Sequence, residues 1–301
     1  MMSLSLFIAL AADPASAPPV FAAESILVTS AWLSERMKRP GLVIFEVGEK
    51  ASYDAGHIPG AQFITLRDIS APREEGKLAL ELPSLERLDS VLEARGVSDH
   101  SYVVVYFGSD WVSPTTRVLL TLEYAGLRGR VSLLDGGLPR WRAEGLPVTT
   151  EVPAITKGNF TTQPRSDVVV DASWVSARLH ERTVAIVDAR DAGFYLDTTD
   201  AEMPRGGHIA GAASIPFGSV VEDDNRLKSP AALREIFAAA GGAPGDTVVS
   251  YCHIGQQGTL VFFAARLLGY DVRLYDGSFQ DWSARADLPV EGGKGAPTGS
   301  R

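Results

Sequence analysis

The only cysteine in the 301-residue chain, Cys252, lies in the stretch YCHIGQQGT, residues 251–259. A lone thiol is either a small buried hydrophobe or a nucleophile, and the second role requires the thiolate. Its surroundings favour an anion. DTVVSY reads as a buried strand ending at Tyr251, and TLVFFAARLLG reads as a helix from about Thr259 to Gly269, so residues 252–258 form a tight loop feeding a helix N-terminus. Gly255 and Gly258 permit the backbone angles that a curled loop needs. Inward amides, together with the positive end of the helix dipole, would stabilise negative charge on the sulfur.

Other side chains are candidates for the same site. Arg190, in VDAR, and Arg205, in MPRGGH, flank the GHI motif at residues 207–209 and could draw an anionic substrate into a cleft. For Arg190 the competing role is a charge-assisted pair with Asp188. His253, with an ordinary pKa of about 6.5, is a candidate cation beside the sulfur. Ile254, Gln256 and Gln257 bring no charge to the loop. A cysteine phosphatase would need an arginine six residues after the cysteine to clamp the phosphoryl oxygens, and that position is Gly258. One cysteine excludes an intramolecular disulfide and any multi-cysteine zinc site, and neither a metal nor a cofactor is expected.

The elements that must position these residues occur twice. VIFEVGEKASYDAGHIPGAQFI, from Val43, parallels AIVDARDAGFYLDTTDAEMPRGGHIAGAASIPF, from Ala185, with His57 matching His208. RVSLLDGGLPRWRAEGLPV, from Arg130, parallels DVRLYDGSFQDWSARADLPV, from Asp271, with Asp135 matching Asp276 and Trp141 matching Trp282. Such self-similarity implies two paralogous domains. In each copy, strands alternate with helices: LVIFEV, SLERLDSVLEARG, SYVVVYF, RVLLTLEYAG and VSLLDG in the first, and AIVDA, SPAALREIFAAAG, DTVVSY, TLVFFAARLLG and VRLYDG in the second. That alternation predicts an α/β fold, a mainly parallel sheet flanked by helices on both faces in each domain, with ligands at the carboxyl ends of the strands. Cys252 lies at such an end. Because the histidines recur in both copies and the cysteine does not, His57 and His208 read as parts of a turn. Asp276 with Gly277 reads as a tight turn, and Trp282 as core.

In this order and twice over, VDAR, GHIAGA, the strand-cysteine-loop-helix segment VVSYCHIGQQGT and YDGSFQDW resemble the rhodanese family of sulfurtransferases in its tandem two-domain form, from about Val28 to Val290. The resemblance implies two rhodanese-like domains and an enzyme that passes a sulfane sulfur through a Cys252 persulfide. The donor would be thiosulfate or 3-mercaptopyruvate, and the acceptor cyanide or a thiol. It also implies that the amides from His253 to Gly258, including Ile254, Gly255, Gln256 and Gln257, hold the persulfide's charge. Aligning Tyr106 with Tyr251 puts Phe107 where the cysteine would stand, so the first domain is expected to be catalytically silent and to wall the site. The family commonly carries a donor-binding arginine four positions after Arg190, and here that position is Phe194. The alternative function is a persulfide carrier or redox sensor without turnover.

Composition narrows the partners. A formal charge of -9 argues against nucleic acid, which needs clustered Lys and Arg, and favours small molecules. The length suits two domains, each with its own core: residues 25–148, a Thr/Pro/Gly-rich linker at 149–167, and residues 168–291, with a disordered tail at 292–301. Residues 1–23 read either as a secretory signal without its basic start, which predicts a periplasmic or secreted protein, or as a disordered leader, which leaves a cytoplasmic one as the alternative. No later run has the ~18 apolar residues needed to cross a bilayer.

Overall fold

A computed structural model describes residues 25–74, 77–108 and 111–292. The signal reading of residues 1–23 and the tail reading beyond Gly292 fall outside the described residues. The first domain contains β1 (Leu27–Val28), α1 (Ser30–Ser34), β2 (Leu42–Val47), α2 (Lys50–Ala55), β3 (Ala61–Ile64), α3 (Leu85–Ala94), β4 (Tyr102–Phe107), α4 (Ser113–Leu122), β5 (Val131–Leu134) and α5 (Gly137–Ala143). The second repeats this plan with β6 (Val169–Val170), α6 (Ala172–Ser176), β7 (Val184–Asp188), α7 (Ala192–Tyr195), β8 (His208–Ile209), β9 (Ala213–Ser214), α8 (Pro230–Ala239), β10 (Thr247–Tyr251), α9 (Gly258–Leu267), β11 (Asp271–Tyr275) and α10 (Ser278–Ala284). A last strand, β12 (Val290–Glu291), pairs antiparallel with β8.

Both five-stranded sheets are parallel, ordered β1-β5-β4-β2-β3 and β6-β11-β10-β7-β9. Their central strands are buried on both faces, which accounts for the unbroken apolar runs YVVVYF and TVVSY. The helices that follow start on matched caps: Ser84 accepts from the Arg87 amide and Ser229 from the Ala232 amide, both at 3.3 Å. The repeated histidines do matched work. Nδ1 of His57 meets the Tyr53 carbonyl and Nδ1 of His208 the Tyr195 carbonyl, each at 2.9 Å, and each ring stacks on that tyrosine.

The expectation of two separate cores is corrected. α1 and α5 cover the outer face of the first sheet around Trp141, and α6 and α10 cover that of the second around Trp282. The inner faces, under α3 and α4 and under α8 and α9, merge into one apolar cluster shared by both domains. The cause lies in the two helices that meet there, whose residues are buried nearly all round, as for a helix enclosed in a core. Contacts at three levels join residues 143 apart in the chain: Gln256 with Ser113, Thr259 with Thr116, and Arg266 in an ion pair with Glu123. α4 and α9 therefore run side by side in the same direction about a pseudo-two-fold axis. Both strand-end loops are delivered to the same end of the pair.

Candidate active site

β10 is the middle strand of its sheet. The chain leaves β7 for the β9 edge and leaves β10 for β11 on the other side, so the crevice beyond Asp188 and Tyr251 is the topological switch point. Cys252 is the first residue past β10. Alternation along the strand sends Tyr251 to the outer core and Cys252 to the inner cluster, just as Tyr106 and Phe107 divide in the first domain. Phe107 thus fills the place of the thiol with ordinary packing.

The loop after Cys252 is held by its carbonyls. Phe279 N–H donates to the Cys252 carbonyl and Gln280 N–H to that of His253, both at 2.9 Å. Arg117 Nη1 donates to the Gly255 carbonyl at 3.1 Å and the Thr259 hydroxyl to that of Gln256 at 2.6 Å. Leu260 N–H reaches the Gln257 carbonyl at 3.0 Å, and the Ser250 hydroxyl reaches that of Gly258 at 2.8 Å. Across a trans peptide the carbonyl and the next N–H point in opposite directions, so carbonyls tied outward turn the following amides inward. Consistently, the amides from His253 to Gly258 donate to no group of the chain among the described residues. Gly255 takes φ +78°, the left-handed conformation that closes this turn. The result is a ring of unspent donors at a helix N-terminus, an arrangement that binds anions. Cys252 itself is 1% exposed, and its own amide donates to the Ser278 hydroxyl at 3.2 Å.

The structure divides the two arginines. Arg190 is buried and grips Asp188 with Nε at 3.0 and 3.1 Å and Nη2 at 2.6 Å, while Nη2 also donates to the Gly207 carbonyl at 2.7 Å. Burial works against its charge, but the hydrogen bonds and charge of Asp188 outweigh it and hold its pKa above the ordinary value; Cys252 is among the groups whose charge it feels. The guanidinium lies 4.0 Å over the Phe279 ring, and among the described residues Nη1 donates to no protein group. Arg190 therefore combines a structural ion pair with one edge open to a cavity of about 180 Å³, lined also by Phe194, Asp197, Asp200, Met203, Arg205 and Phe279.

Arg205 has a different task from the one expected. Nε, Nη1 and Nη2 donate to the carbonyls of Ser283, Leu288, Trp282 and Arg285 at 2.6–3.0 Å, so it clamps the C-terminal end of α10. Carbonyls gathered at a helix end account for that arrangement: those of Ser283 and Leu288 receive Arg205, and those of Trp282 and Arg285 receive it beside the Arg285 and Leu288 amides. His253 packs edge to face on Phe194, ring centroids 4.6 Å apart, and burial followed by the nearby Arg190 charge pushes its pKa below the ordinary value. It is a neutral imidazole near pH 7. Ile254, Gln256 and Gln257 contribute backbone to the ring. Gly258 opens α9, and a β-carbon there would come within 3.1 Å of the Tyr251 carbonyl carbon. Among the described residues, no group of three or more His, Cys, Asp or Glu side chains could hold a metal ion, and no helix is long and apolar enough to cross a membrane.

Sequence reasoning did not anticipate Arg117, Ser278, Phe279 or Gln280. In sequence YDGSFQDW reads as a turn and a core tryptophan, although its middle residues hold the cysteine loop. Arg117 gave one signal, a lone charge at the head of the apolar run RVLLTL.

The family model described as rhodanese-like domain matches this chain twice, at residues 29–144 and 171–285. The chain belongs to the rhodanese family. This rhodanese is 34% identical over 279 residues to a probable 3-mercaptopyruvate sulfurtransferase of Pseudomonas aeruginosa, covering 89% of this chain and 98% of that protein. It is 30% identical over 292 residues to the sulfur carrier protein TtuD of Thermus thermophilus, covering 91% and 99%. The crystal structure of SseA, a 3-mercaptopyruvate sulfotransferase from Escherichia coli, superimposes with a TM-score of 0.75 at 27% identity, covering 85% of this chain and 99% of that one. The rhodanese is an enzyme of sulfur transfer, and its fold is two tandem rhodanese domains.

Proposed function

We propose that the sulfur passes through Cys252, and that the preferred donor carries a single carboxylate, as 3-mercaptopyruvate does. The observation that supports this reading is the loop itself, with its carbonyls tied outward and its amides unspent around the only thiol. The Cys252 thiolate attacks the donor sulfur and a sulfur–sulfur bond forms. The carbon–sulfur bond breaks, its electron pair goes to carbon, and the thiol proton of the donor ends on that carbon, giving pyruvate. With thiosulfate the sulfur–sulfur bond breaks and sulfite leaves. The persulfide anion rests against the amides of residues 253–258, which are already aligned and cost no reorganisation when charge arrives. Cyanide or a thiol then takes the outer sulfur, and the thiolate returns. Dividing the transfer into two displacements lowers each barrier.

The donor preference follows from charge. The cavity is joined to the cysteine loop through Phe194, which packs on His253, and Phe279, whose amide holds the Cys252 carbonyl, although Cys252 does not line it. It offers one guanidinium edge, from Arg190, while Arg205 is committed to carbonyls, the adjoining His253 is neutral, and Asp197 and Asp200 belong to the same lining. That environment suits one negative charge better than two.

A steady-state comparison of 3-mercaptopyruvate and thiosulfate, each with cyanide, tests the proposal. Turnover with a higher kcat/KM for 3-mercaptopyruvate, abolished in a folded Cys252→Ser variant, is expected; equal or better use of thiosulfate would overturn the donor assignment. The likeness to TtuD supports a second reading, persulfide carriage, for which a persulfide forms but neither donor turns over.

A further inference from the structure

We infer that Arg117, which belongs to the domain without a thiol, is a positioning residue for the cysteine loop of the other domain; this inference rests on the proposed use of that loop as the persulfide cradle. Arg117 is fully buried in α4. Nη1 donates to the Gly255 carbonyl at 3.1 Å and to Asp276 Oδ1 at 2.5 Å, and Nη2 donates to the Leu80 carbonyl at 2.5 Å. The other oxygen of Asp276 accepts the Leu82 amide at 3.4 Å, and the Ala79 amide donates to Gln280 Oε1 at 2.9 Å. One planar fork thus ties a strap of the first domain, the Asp276 turn and the apex of the loop into a single unit, which a lysine, with one point charge, cannot reproduce.

The apex is where this matters. The Gly255 carbonyl is held outward by Arg117, which aims the Gln256 amide inward. A β-carbon on Gly255 would stand 2.7 Å from the Asp276 carbonyl oxygen and 3.1 Å from Arg117 Nη1, so loop and arginine are in direct apposition. The pseudo-symmetry supplies a second argument. The residue 143 positions after Arg117 is Leu260, which packs in the inner cluster and reaches nothing comparable in the first domain. The helix pair is reciprocal at Thr116 and Thr259 and at Glu123 and Arg266, but not here. Among the described residues, only the loop that carries the cysteine receives an arginine from its neighbour.

The test uses the full chain with Arg117→Lys and Arg117→Met, and Glu123→Gln as a variant of the same interface away from the loop. Asp276→Asn, which frees Arg117 from its anchor while leaving its charge, provides the same readouts should both Arg117 variants fail to fold. Alkylation of Cys252 by iodoacetamide across pH reports the thiolate without any sulfur donor, and kcat and KM are measured in parallel. Folded Arg117→Lys is expected to show its alkylation midpoint moved to higher pH and kcat reduced by up to about 10²-fold, the scale of an ångström-sized misplacement, with a smaller change in KM. Glu123→Gln is expected to melt at lower temperature with midpoint and kcat unchanged. A wild-type midpoint and kcat in a folded Arg117 variant would overturn the inference, as would the same losses in Glu123→Gln. A shifted midpoint in Arg117→Lys, where the wild-type protein transfers sulfur from no donor, would uphold the role of Arg117 and reject the persulfide reading.

Discussion

At the scale of single residues, His253 marks how far chemistry could be read from the chain. Its place next to Cys252 suggested a cation, and Phe194 stood out as the residue where the family commonly has an arginine. That these two rings pack on each other, with Arg190 close by, follows only from the fold. The depressed pKa has a consequence for stability. Below about pH 6.5 the unfolded chain takes up this proton more readily than the folded one, so acid favours unfolding, and the penalty vanishes above that range. Urea denaturation from pH 7.5 downward is expected to show less acid destabilisation in His253→Gln than in the wild type. Parallel pH profiles would mean that the imidazole titrates normally. The Arg205 result has a comparable cause: sequence displays its charge but not the four carbonyls that converge on it.

At the scale of elements, the strands, the long helices and the loop between β10 and α9 were legible, because unbroken apolar runs, helical periodicity, serine caps and glycines all act locally. The contacts that hold the loop in shape were not, since Arg117, Ser278, Phe279 and Gln280 come from segments distant in sequence. Gly255 is the point where the local and distant requirements meet. Alanine there must adopt a left-handed conformation, which costs about 1–3 kcal/mol, and its methyl group would crowd the Asp276 carbonyl. Gly255→Ala is therefore expected to fold with reduced stability in urea and with slower alkylation of Cys252. Wild-type stability and alkylation would show that the loop tolerates another path.

At the scale of the whole molecule, the duplication was evident from paired motifs, whereas the merging of the inner cores was not, because periodicity identifies an apolar face without naming what covers it. One cluster spanning α4 and α9 makes the domains interdependent. Thermal unfolding is expected to be a single transition: loss of fluorescence from Trp141, buried in the first domain, and from Trp282, buried in the second, should coincide when each is followed in a variant that retains it alone of the five tryptophans. Separate midpoints would mean that the domains unfold independently. This interdependence gives a thiol-free domain a reason to persist, as the scaffold of its neighbour's site. The central claim, that Cys252 accepts the sulfur, is tested most directly by intact-mass measurement of the protein after incubation with donor. The account predicts a gain of one sulfur atom on the peptide containing Cys252, removed by cyanide and absent in Cys252→Ser. No gain with either donor, or a gain that survives in Cys252→Ser, would contradict it.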